Sequence, residues 1–173
     1  KESEESIYSY SIQLIVEKII GFSAIYMIAL FQGYFFETVL FTISLSNLRK
    51  CTGGYHANSF RGCFIGTVSI YLIYIKLIYP YLLNNMKINM IIFLVSAMAI
   101  FVNHPGMDWN KEEFEENKKL ARITVFVELL VVIALTYLGM VEKYILFMSF
   151  GMILCAILLT LGKITGQEGK CDE

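Results

Sequence analysis

Five stretches of this chain, residues 22–43, 63–83, 88–102, 123–140 and 144–161, run for fifteen to twenty-two residues with only Glu37, Lys76 and Glu128 as charged side chains. A helix rises about 1.5 Å per residue, so some 20 apolar residues match a hydrocarbon core of about 30 Å. Lipid offers no water to unpaired backbone N–H and C=O groups, so such stretches must satisfy them internally, as helices do. The expectation is an all-α, polytopic integral membrane protein with about five membrane helices, forming one membrane domain over residues 1–173. A hydrophobic content of 57% and a mean hydropathy of +0.61 exceed what a soluble domain needs. The 88–102 stretch is short and must recruit its polar flanks.

The remaining segments fill in that plan. Residues 1–11, KESEESIYSYS, carry acids where a secretory signal has a basic region, so no cleavable signal is expected. Over residues 7–20, Tyr8, Ile12, Ile15 and Ile19 recur at helical spacing, which predicts an interfacial amphipathic helix within 1–20 or an ordinary helix packed on the fold. Residues 103–122 form a polar loop whose second half reads as a helix. Asn110 and Glu113 suit a capping box, and Glu115 and Lys119 suit an i,i+4 pair. Residues 141–143 are a tight turn between the last two spans. Glu128 is expected near an interface with a basic partner, and Cys155 as a small apolar residue.

Chemistry is concentrated in residues 47–63, NLRKCTGGYHANSFRGC, between the first two spans. This segment holds Cys51, Cys63, His56, the cations Arg49, Lys50 and Arg61, and the Gly53-Gly54 pair. On one straight helix His56 and Cys63 would stand about 10 Å apart along the axis, beyond proton-transfer distance. The chain must therefore bend between them. Asn58 or Ser59 can cap a helix that begins just before Cys63, and the diglycine lets His56 fold back over its start. A cysteine in a first helical turn, with Arg61 near and an imidazole as base, has the makings of a nucleophile. Glu37, an acid within an apolar run, needs a partner: it can orient His56, meet a cation such as Arg49, or hold helices together.

At these positions the sequence resembles the accessory gene regulator B membrane endopeptidases of Gram-positive quorum sensing. Leu48-Arg49, Gly53-Gly54-Tyr55-His56-Ala57 and Cys63 reproduce the family's LR…GGxHA…C pattern with its His-to-Cys interval, and the hydrophobic layout is similar over most of the chain. The resemblance implies that Cys63 is the nucleophile and His56 its general base. It implies cleavage of an AgrD-like precursor peptide and its cyclisation to a thiolactone or lactone signal, with no cofactor or metal. The family's precursor has an acidic tail, for which Arg49, Lys50, Arg61, Lys118 and Lys119 are candidate contacts, with Gly53 and Gly54 shaping the loop. A homodimer is a further implication. Cys51 has no counterpart in the motif.

Lysine and arginine counts set the orientation: three in 45–62 and four in 103–122, against one each in the turns at 84–87 and 141–143. The cation-rich loops should face the cytoplasm, so the 45–63 catalytic segment and the 103–122 loop share that side of the cell membrane. Five spans then leave the N-terminus outside, unless residues 19–46, interrupted near Gly33, dip in and return. A net charge of −1 gives no support to nucleic-acid binding. The alternative reading is a small membrane transporter or scaffold, with a structural metal site on Cys51, His56, Cys63 and His104.

Overall fold

The computed structural model describes residues 16, 19–53, 55, 59–103, 111–139 and 142–165, and every regular element among them is helical. In chain order these are α1 (Ile19–Gln32), α2 (Phe35–Thr52), α3 (Phe60–Ile73), a π-helical turn (Tyr74–Ile78), α4 (Tyr79–Leu83), α5 (Met86–Val102), α6 (Lys111–Tyr137) and α7 (Glu142–Thr165). Arg61–Leu83, Glu115–Tyr137 and Glu142–Thr165 are long and apolar enough to cross a membrane, while Ile19–Gln32 and Met86–Val102 are shorter apolar helices. The chain is thus an all-α membrane protein, as its apolar runs predict. Most of the amphipathic segment expected at 1–20 lies outside the described residues.

The span expected at 22–43 is broken in two. Gly33 adopts φ 77°, a left-handed conformation that glycine enters without steric cost. Its neighbour Tyr34 donates its N–H to the Ala29 carbonyl at 2.9 Å, the bond that ends a helix in a Schellman turn. Beyond the turn the chain folds back. Tyr26 Oη and Thr42 Oγ1 are 2.6 Å apart, whereas sixteen residues of straight helix would separate them by about 24 Å. The outer end of α1 and the Thr52 end of α2 therefore face the same way. Of the two alternatives open for residues 19–46, the described residues thus fit an interruption and return near Gly33.

The last helix, α7, is the axis of the bundle. Residues 145–152 of α7 are buried without a break, so it is apolar on every face, as an interior helix must be. It packs most extensively on α2 and then on α5. On the α2 side, a Cβ placed on Gly151 would lie 2.6 Å from Ser44 Oγ and 3.0 Å from the Phe41 carbonyl. Glycine is what lets the two backbones approach. Between helices already in lipid, such close packing and interhelical hydrogen bonds replace the hydrophobic effect as the source of association.

Two clusters flank that axis. In one, Tyr74 stacks on Phe150 at 3.7 Å between centroids, Phe150 stacks in turn on Phe41 at 4.8 Å, and Tyr74 Oη donates to the Leu146 carbonyl. In the other, Phe93 and Ala97 of α5, Val125 and Val132 of α6, and Met152 and Cys155 of α7 gather around Leu48. The π turn has a local cause: in a regular helix the Pro80 ring would strike the Lys76 carbonyl. The chain widens before it, and the Tyr79 N–H reaches back five residues to Tyr74.

The two ends of the bundle differ in chemistry. At one end Lys143 Nζ lies 2.5 Å from Glu37 Oε1, and Tyr34 meets Tyr79 and Phe147. At the other, Thr52 meets Cys155, Tyr55 meets Leu158, and Lys163 donates to Asn103 at 3.3 Å. The helix expected within 103–122 and the span expected after it are one continuous 27-residue helix. At about 40 Å it exceeds the hydrocarbon core, so its charged beginning can project beyond the lipid at the Tyr55 end.

Candidate active site

The last turn of α2, beyond its apolar stretch, prepares the loop. Arg49 is half-buried there, and its guanidinium donates from Nη1 to the Gly53 carbonyl at 2.5 Å and from Nη2 to the Tyr55 carbonyl at 2.9 Å. A planar fork with several fixed donors suits two carbonyls in a way a single ammonium does not. Gly53, at φ 60° and ψ −129°, makes the turn this clamp requires and closes the helix by donating to the Arg49 carbonyl. Such a conformation is strained for any residue with a Cβ. Tyr55 then donates its N–H to the Leu158 carbonyl of α7 at 2.9 Å. Beneath this segment, buried Thr52 bonds to Leu48 O and contacts Cys155 Sγ.

Helix α3 begins as the sequence predicts. Ser59, with extended backbone, is its N-cap and accepts from the Gly62 N–H at 3.2 Å. Cys63 follows at the end of the first turn, its N–H donated to the Ser59 carbonyl at 3.0 Å. The thiol is free and half-buried. Thr67 Oγ1 covers the Cys63 carbonyl at 2.7 Å. A helix start gathers unpaired N–H groups and partial positive charge around its first turn.

Arg49 interacts electrostatically with Cys155 and Cys63. Burial pushes the guanidinium down from its ordinary value, and Cys155 and then Cys63 act against that shift. The sequence pointed to Arg61, two residues from Cys63, but residues i and i+2 face different sides of a helix. Arg61 and Lys50 are exposed. Cys51 is half-buried; burial pushes its thiol up, with Lys50 opposing.

Other residues singled out by the sequence lie elsewhere. Glu37 is buried in the first turn of α2, at the far end of the bundle, and its partner is Lys143 rather than Arg49. Twelve residues of helix put it about 18 Å along the axis from Arg49. Of the three roles open to it, holding helices together is the one its surroundings fit. Glu128 meets Ser44 rather than a basic residue: it is buried and accepts from Ser44 Oγ at 3.0 Å. Lys118, rather than Lys119, pairs with Glu115, at 3.3 Å, and Lys119 is exposed. His56, Gly54, Ala57 and Asn58 lie outside the described residues. Among the described residues, no three His, Cys, Asp or Glu side chains gather to hold a metal ion. His104, required by the metal-site alternative, also lies outside them.

The helical fold and the LR…GGYHA…C segment between α2 and α3 are matched by a family description. The model of the family Accessory gene regulator B covers residues 1–161. The chain belongs to this family. No curated protein and no solved structure matches it. Accessory gene regulator B membership gives the chain a role in processing a quorum-sensing peptide, as a membrane protein of a peptide-processing protease family.

Three contacts of this accessory gene regulator B protein go beyond what its sequence pattern carries. Arg49, a candidate substrate contact from its charge, clamps its own loop. Cys155 is buried, as expected of a small apolar residue, and also contacts Thr52 at the loop's base. The docking of Tyr55 on α7 has no sequence signal, since it joins two backbone groups 103 positions apart.

Proposed function

We propose that the chain is a membrane cysteine endopeptidase that removes the C-terminal tail of an AgrD-like precursor peptide, with Cys63 as nucleophile and His56 as general base. The observation that carries this reading is the position of Cys63 in the capped first turn of α3, after a loop whose Gly53 and Tyr55 carbonyls Arg49 holds. Cys63 Sγ attacks the carbonyl carbon of the scissile bond. As the C–N bond breaks, His56 gives its proton to the departing amine, leaving a thioester. A Cys or Ser side chain of the substrate then attacks that carbonyl, His56 takes its proton, and the Cys63 thiolate leaves. The product is a thiolactone or lactone, and the exchange needs no ATP because the thioester retains the activation.

Backbone N–H groups at the start of α3 are the donors available to the oxyanion. Gly62 already bonds to Ser59 Oγ and Cys63 to Ser59 O, which points to the Phe60 and Arg61 amides. Exposed Lys50, Arg61 and Lys119 suit an acidic tail, while Arg49 acts as a positioning residue. With α1 and α2 as a hairpin, the cation-rich segments all lie at the Tyr55 end of a multi-pass bundle, which the positive-inside rule turns toward the cytoplasm of the cell membrane. A homodimer is compatible with this layout.

The test is co-expression with the precursor, followed by mass spectrometry. Wild-type protein should yield the tail fragment and a ring lighter by one water than the linear peptide, and a hydroxylamine-sensitive adduct on Cys63. Normal cleavage by Cys63→Ala would sink the proposal.

A further inference from the structure

We infer that Glu128 is a proton-binding site inside the bundle: a neutral carboxylic acid that donates to Ser44, while the Ser44 hydroxyl donates to the Met148 carbonyl. One proton then joins α6, α2 and α7. Glu128 takes no part in the steps proposed for Cys63 and His56, so nothing here depends on them.

The side chain is only 6% exposed and lies between Val125 and Val132, on the face of α6 that packs around Leu48. Nine residues of helix, about 14 Å, separate it from Tyr137, and six, about 9 Å, from Arg122. An ionised carboxylate at such a depth needs a cation. Among the described residues no ion pair supplies one. On α2, Arg49 donates to the loop carbonyls, and exposed Lys50 and half-buried Cys51 stand in the last turn. The charged residue of α5 is Lys87, exposed at its start. On α7, Lys143 pairs with Glu37 at one end and Lys163 donates to Asn103 at the other. The titratable group of α7 that Glu128 influences is Cys155, a thiol that brings no positive charge. On α6 itself, Arg122 lies over the Phe101 ring.

The hydrogen bonds themselves count the proton. Ser44 Oγ lies 3.0 Å from Glu128 Oε2 and 3.3 Å from the Met148 carbonyl. A carboxylate and a carbonyl both only accept, and a hydroxyl has a single hydrogen. With Glu128 ionised, that hydrogen goes to the carboxylate and the Met148 contact is left unfilled. With Glu128 neutral, its own O–H fills the first contact and Ser44 fills the second. Protonation therefore removes a buried charge and completes both bonds at once. Loss of the proton leaves an unpaired charge where α2, α6 and α7 meet, which loosens the helix that carries Arg49. Glu37 is the contrast: equally buried, it has Lys143 as its counter-charge.

Infrared spectroscopy of the whole chain tests this, in a maltoside detergent that has no ester carbonyl to overlap. At pH 7 the wild-type protein should show the C=O stretch of a neutral carboxyl, and Glu128→Gln should lose it while Glu37→Gln keeps it. A Glu128→Gln spectrum that loses only carboxylate bands overturns the proposal. Thermal melting gives the second readout. An exposed glutamate releases its proton near about pH 4.3, so between about pH 5 and about pH 7 the folded state holds a proton that the unfolded chain has lost. Stability contributed by Glu128 must then fall as pH rises, and the wild-type melting temperature should drop relative to Glu128→Gln by about 3 °C per pH unit. A constant or rising difference overturns the proposal. Should Glu128→Gln fail to fold, Ser44→Ala removes the acid's hydrogen-bond partner and should shift the carboxyl band; an unmoved band is equally fatal.

Discussion

The guanidinium of Arg49 donates to the carbonyl of Tyr55 at 2.9 Å, and its other terminal nitrogen donates to Gly53. One side chain thus fixes the path of the loop that leads from α2 to His56. Arg49→Lys keeps the charge but loses the fork. It should lower the rate of precursor cleavage by about 100-fold, the scale expected when a catalytic group is misplaced by about an ångström. The melting temperature should change little. Single-turnover cleavage beside a thermal melt checks this; equal rates for Arg49→Lys and wild type would remove the clamp from the mechanism.

Cys63 and His56 are expected to act as a unit. Cys63→Ala and His56→Ala should each lower cleavage by on the order of 10⁴-fold, and the double variant should be no worse than either. Additive losses would mean that the two residues serve separate steps.

Cys51 supplies a pH test. Burial holds its thiol above the ordinary value, with Lys50 opposing, so the neutral form, which does not react, is favoured at neutral pH. In Cys63→Ser, alkylation of Cys51 by iodoacetamide should be slow at pH 7 and should accelerate only as pH rises past the usual thiol range. Mass spectrometry of labelled peptides follows it. Rapid labelling at pH 7 would mark Cys51 as the activated thiol instead.

Glu37 and Lys143 form an ion pair far from Cys63, with the carboxylate side chain only 2% exposed. Lys143→Ala leaves a buried charge without its partner and should lower the melting temperature and yield. The activity of the molecules that do fold should stay near wild type. A selective loss of cleavage with unchanged melting would contradict the structural role assigned to the pair.

Gly151 is where α7 receives Ser44. Gly151→Ala places a Cβ 2.6 Å from Ser44 Oγ and 3.0 Å from the Phe41 carbonyl, and overpacking of this kind costs about 1–3 kcal/mol. Ser44→Gly in the same chain removes the side-chain part of the clash and should recover some of the loss. Denaturation in detergent measures both; Gly151→Ala as stable as wild type would show that the helices separate freely.

By itself, the sequence determined the class and the motif. Apolar runs of bilayer length leave the backbone no choice but helices, and the LR…GGYHA…C pattern carries the family. Ser59 was legible as a cap because capping is local chemistry, read within four residues. Tertiary structure decided the rest. One run broke into a hairpin because Gly33 reversed the chain, and hydropathy averaged over a window does not register a single left-handed residue. Glu37 and Glu128 each needed a partner the sequence does not name: one meets Lys143 and the other Ser44, both more than 80 positions away. Arg49 read as a free cation because composition counts charge, whereas only the folded loop shows which carbonyls the charge faces. Local rules fix caps, turns and helix lengths; long-range packing fixes which polar groups find one another inside a medium that offers no water.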